Sequence, residues 1–179
     1  MLQIRQSVFE TNSSSTHSIV VSTGKKIQKP LNQYETYYAT YEDGILRLSK
    51  DNNFGWGWEV LTEWTDKFAY AVAELRFRTE ELEDILYKVK ERLGCTEIVI
   101  PERTLWNDQS KTEPDYGYID HQSHGTLLCF LNETRTDVID FIFDDRYSVV
   151  LDNDNNYGDF YDEFIAKNEL DDYPADKYW

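Results

Sequence analysis

Cysteine is scarce in this sequence, and what there is forms no motif. Cys95 and Cys129 are its two cysteines, each inside an apolar run, GCTEIVI and TLLCFL. No Cys-x-x-Cys pair exists, which excludes a zinc site of the usual spacing. The pattern predicts two buried thiols in a reducing compartment. Long hydrophobic runs are missing as well. None approaches the roughly 20 apolar residues that cross a bilayer, and the opening MLQIRQSVFETNSS has no apolar leader segment. The expectation is a soluble protein of the cytoplasm. Positive charge is the third shortage: 18 Lys and Arg stand against 34 Asp and Glu, a formal net charge of −16. A field of that sign repels phosphate chains and disfavours nucleic-acid binding by bulk charge.

Aromatic residues are plentiful, at 15% of the chain, with 13 Tyr and 5 Trp. Such side chains pack well and also make good contact surfaces. With 40% apolar residues over 179 positions, the chain can bury a real core, and its length fits one domain, 1–179, that includes the acidic segment 152–179. The charge is uneven. Residues 1–30 hold Arg5, Lys25, Lys26 and Lys29 against Glu10, whereas 140–179 hold twelve acids against Arg146, Lys167 and Lys177. An acidic region of this kind serves solubility, or docks on a basic protein groove.

Periodicity predicts an α+β domain with a mixed sheet packed by two long helices. Strands are expected at 2–9 and 18–22, and again at 33–40 and 44–50 around an Asp43-Gly44 turn. Helices are expected at 58–76 and 79–93, each with one apolar stripe, the second capped by Thr79 and stopped by Gly94. Residues 96–100 read as a strand, 102–125 as a long polar loop, TLLCFL as a strand and DVIDFIF as a short helix capped by Thr136. YSVVL completes the strands, and a short helix follows near 159–167.

The densest chemistry lies in Glu10-Thr11-Asn12-Ser13-Ser14-Ser15-Thr16-His17-Ser18, a polar run between two expected strands. A connecting turn needs one or two such side chains, not nine. Phosphodiester cleavage needs a proton shuttle, donors to the phosphoryl oxygens and a group that orients the nucleophile. His17 titrates near neutrality and suits the shuttle. Glu10 suits a base, or a partner that holds His17 in one tautomer. Asn12 and Ser13, with Ser14 and Ser15, can donate to an anion, and Arg5, Lys25 and Lys26 supply positive charge. The run lacks clustered carboxylates, so the expected chemistry needs no metal or other cofactor. The plainer reading is a serine-rich loop with an exposed imidazole.

Val8-Phe9-Glu10-Thr11-Asn12-Ser13-Ser14-Ser15-Thr16-His17-Ser18 resembles the opening of small proteins from phages and mobile elements of Gram-positive bacteria. With the length and acidity, it resembles type II-A anti-CRISPR proteins of streptococcal type, of the kind that shorten guide RNA while it sits with the effector nuclease. The resemblance covers about eleven of the 179 residues. It implies effector-dependent truncation of a guide RNA, the CRISPR effector endonuclease and its guide as partners, and action in the host bacterial cytoplasm. The alternative is a non-catalytic acidic inhibitor that mimics nucleic acid and blocks guide or target binding.

Three other segments invite a functional reading. Asp120, His121 and His124 can hold a metal or transfer a proton, or form a polar loop with exposed imidazoles. Asp152, Asp154, Asn156 and Glu163 fall at positions 1, 3, 5 and 12 of a calcium loop. Tyr157 stands where that loop wants glycine, which favours a solvated acidic turn. Phe54-Gly55-Trp56-Gly57-Trp58 suits base stacking, partner anchoring or a wedge onto the core.

Overall fold

A computed structural model describes residues 15–22, 27, 29–30, 36–50, 52–55, 57–119, 125–153, 160–168 and 170–174, with backbone alone at 15–18, 20, 152–153, 160–162 and 171–174. The architecture is α+β. Its largest sheet is antiparallel, in the order β11 (Asp171–Pro174), β1 (Ser15–Val21), β10 (Tyr147–Asn153), β5 (Glu59–Leu61). Strand side chains alternate between faces, and here both faces are covered. Ile19, Leu61, Val149 and Leu151 enter the main core. Val60 and Val150 join Ile27, Phe164 and Leu170 in a second cluster on the opposite face. That face is covered by α5 (Phe160–Asn168). Double coverage explains why VVL in β10 is a continuous apolar run.

The expected 58–76 helix divides. Val60 and Leu61 pair with Val150 and Val149, and α1 begins only at Trp64 and ends at Leu75. Sheet pairing outweighs the helical spacing of Val60 and Leu61. Every residue of α1 from Asp66 to Leu75 is buried, polar ones included. The single-stripe expectation therefore fails for α1, which is the central helix of the molecule. It holds for α2 (Thr79–Leu93), which buries only Leu82, Ile85 and Val89. Gly94 ends α2 in the left-handed region, at φ 60. Thr79 is the first helical residue rather than the cap, and Arg78 in the cap position makes no side-chain capping bond.

β2 (Ala39–Glu42) and β3 (Ile45–Leu48) form the expected hairpin, turning at Asp43 (φ 51) and Gly44 (φ 74). Two positive φ angles are what a two-residue hairpin turn requires. β6 (Glu97–Val99) adds to β3 in parallel, which makes this second sheet mixed. Residues 102–125 are not one loop. β7 (Glu102–Leu105) and β8 (Asp108–Pro114) form a bulged hairpin. β9 (Tyr118–Ile119) then pairs in parallel with β4 (Asn53–Phe54).

TLLCFL is helical, forming α3 (Thr126–Thr134). Thr126, Leu127 and Phe130 bury at helical spacing, a case where a short apolar run fits strand or helix until its packing partners are known. Cys95 is buried, but Cys129, on α3, is only half-buried. α4 (Val138–Phe143) is capped not by Thr136 but by Asp137, whose carboxylate accepts the Ile139 N–H at 2.8 Å. The expected strand at 2–9 lies outside the described residues.

Candidate functional site

Among the expected site residues, Arg5, Glu10, Asn12, Ser13, Ser14, Lys25 and Lys26 lie outside the described residues, as do His121, His124, Trp56 and 154–159. Ser15 and His17 are placed by their backbone, and they do not sit in a connecting loop. β1 starts at Ser15, and its register sets Ser15 opposite Asn153, Thr16 opposite Asp152 and His17 opposite Leu151. The hydroxyl-rich run thus continues into an extended strand. An amide cradle of the turn type does not extend to Ser15. On its other side β1 pairs with β11, Val20 opposite Asp172 and Val21 opposite Asp171. Strand pairing brings an early segment between two late, acidic ones.

α1 carries charged side chains into the core. Lys67 donates to the carbonyls of Asp144 (2.8 Å) and Tyr147 (3.0 Å), tying α1 to the start of β10. Asp66 pairs with Lys29 at 2.9 Å. Glu59 accepts a short hydrogen bond from the Tyr38 hydroxyl. Burial raises the pKa of both carboxyls, Glu59 against the bond from Tyr38 and Asp66 against Lys29.

Glu74 is the most perturbed carboxyl among the described residues. Burial pushes its pKa up to about 7, although the Gly125 N–H donates to it and the Arg76 and Arg78 charges oppose the shift. Its other oxygen, Oε2, has no hydrogen-bond partner among the described residues. Tyr70, fully buried one helical turn earlier, is raised in pKa by burial and by Glu74, with Thr126 opposing the shift. Sequence reasoning missed Glu74. The available signal was an acid embedded in FAYAVAEL, which is otherwise apolar.

A second polar feature opens at the surface where α1 ends. Arg76 lies with its guanidinium carbon 4.6 Å from the Phe77 ring centre and 4.9 Å from that of Tyr118. It donates to the Gly117 carbonyl at 3.3 Å. Burial and the nearby Arg103 charge lower its pKa, against Tyr118 and Glu74. Gly117 fixes this corner. Its φ is +86, and an added Cβ would meet the Asn52 carbonyl oxygen at 2.8 Å. Asp115, buried, accepts the Gly117 N–H and holds the turn. The resulting pocket, about 160 Å³, runs from Arg76 and Phe77 to Arg103, Glu113 and Tyr116. Arg103 is itself paired with Glu113 at 2.8 Å.

No group of three or more metal-ligating side chains occurs among the described residues. No helix among them is long and apolar enough to cross a membrane. Comparison of the chain with protein-family models, with curated proteins and with solved structures finds no match.

Proposed function

We propose that the protein inhibits an RNA-guided DNA endonuclease by shortening its guide RNA, with effector and guide as its partners. The resemblance of residues 8–18 supports this reading. One structural observation supports it further: the end of the polar run is held in a sheet, where Ser15 and Thr16 stand opposite Asn153 and Asp152. A strand paired to a neighbour sets backbone positions more firmly than a loop does, and proton transfer to a phosphodiester demands such positioning. His17 acts as proton shuttle, Glu10 as base or orienting group, and Ser13, Ser14 and Arg5 bind phosphate. The net charge of −16 makes free RNA a poor ligand and the effector's basic channel a good one, so cleavage depends on the effector.

The second reading is a stoichiometric inhibitor whose acidic face imitates nucleic acid. It is favoured by the gathering of Asp171, Asp172 and Asp152 onto the two strands that flank β1. Denaturing electrophoresis of guide RNA, with and without effector, separates the two. Many guides shortened per protein molecule supports catalysis, whereas one-to-one inhibition with intact guide removes it.

A further inference from the structure

We infer that the pocket at the end of α1 is a contact site for single-stranded RNA, one base stacking on Phe77 beside the guanidinium groups of Arg76 and Arg103. The inference rests on the guide-RNA reading and adds where the RNA lies. Phe77 is 80% exposed and Trp106 is 99% exposed, so both present an aromatic face on which a partner can stack. Trp106 turns the hairpin whose strand β7 carries Arg103, so it stands about 10 Å further along the same ribbon at the usual rise per residue. Aromatic faces interleaved with arginines are the platform that single strands use. Every base has a face to stack, and guanidinium groups meet the phosphates between them.

Charge complementarity favours RNA over protein. In a chain with nearly twice as many acids as bases, the pocket lining carries two guanidinium groups, Arg76 and Arg103, against one carboxylate, that of Glu113, which pairs with Arg103. The pocket is also small and is fixed by the Gly117 turn, which suits one planar ring better than a peptide segment. Being built on α1 and a hairpin, it is in place before the RNA arrives.

The test uses the full chain and a short fluorescent single-stranded RNA at near-physiological salt, where the overall negative charge is screened, followed by anisotropy. Phe77→Ala and Trp106→Ala, both at exposed positions, should each weaken binding about tenfold. Arg103→Gln, which also removes the cation paired with Glu113, should weaken binding. Circular dichroism should report an unchanged fold in all three. RNA affinity that is equal in wild type and these variants overturns the inference. So does a loss of binding to guide-free effector in Phe77→Ala, which would make the pocket a protein contact. The guide-shortening assay keeps this separate from the proposed function. If His17→Ala stops shortening while Phe77→Ala and Trp106→Ala shorten at the wild-type rate, the pocket inference fails and the function stands. If wild type shortens nothing yet binds RNA through Phe77, the function fails and the pocket stands.

Discussion

At the scale of single residues, burial couples the protonation of Glu74 to folding. Its carboxyl titrates at about 7 when folded, against 4.5 unperturbed. A raised carboxyl binds more protons folded than unfolded, so its stabilising contribution is complete below pH 4.5 and is lost as pH rises through 7. The loss is on the order of 3 kcal/mol. Urea denaturation should therefore show stability falling between pH 5 and 8. Glu74→Gln, which can still accept the Gly125 N–H, should flatten that fall. An equally steep fall in the variant would assign it to other groups, of which Glu59 and Asp66, also raised by burial, are the first to examine. His17 makes a catalytic prediction. His17→Ala should stop guide shortening, since general acid-base catalysis contributes about 10²–10⁴ in rate, and Glu10→Gln should slow it. Shortening should persist in chelator, and Ser14 or Ser15 to Ala should have smaller effects. A fully active His17→Ala would make the run structural. His17 was legible as a candidate because a lone imidazole among hydroxyls stands out in sequence. Glu74 was not, because its chemistry comes from burial and from the Gly125 N–H, both supplied by the fold.

At the scale of elements, the turn at Gly117 joins β8 to β9 and seats Tyr118 beside Arg76. A side chain there meets backbone at 2.8 Å and a positive φ at once. Gly117→Ala should cost roughly 2–3 kcal/mol in chemical denaturation, whereas Gly57→Ala, with open space around it, should cost little. A Gly117→Ala protein as stable as wild type would show that the turn can rearrange. Elements with local signals were legible. α2 has its stripe and its terminal Gly94, and the β2–β3 hairpin has Asp43-Gly44. β7, β8 and α3 were not. The hairpin strands are mostly polar and exposed, so they lack the alternation that marks a half-buried strand. TLLCFL is too short for its period to choose between strand and helix.

At the scale of the whole molecule, strand pairing places Asp152, Asp171 and Asp172 on the strands beside β1. If this acidic region docks on the effector, association should slow steeply with added salt. Reversing Asp152, Asp154, Asp159 and Asp162 to lysine should slow it further, measurable by surface plasmon resonance. An unchanged on-rate would leave the acidic segment as a solubility device. Sequence alone determined the α+β class, the acidity, the bounds of α2 and the position of β10, because each depends on composition, on spacing within one element or on turn chemistry. Only the tertiary structure decided that α1 is buried all round, that Ser18–Val21 lies between two late strands, and that Arg76 meets Tyr118 and Arg103. Those outcomes depend on which distant segments share hydrogen bonds and exclude water together, and local periodicity carries no record of that choice.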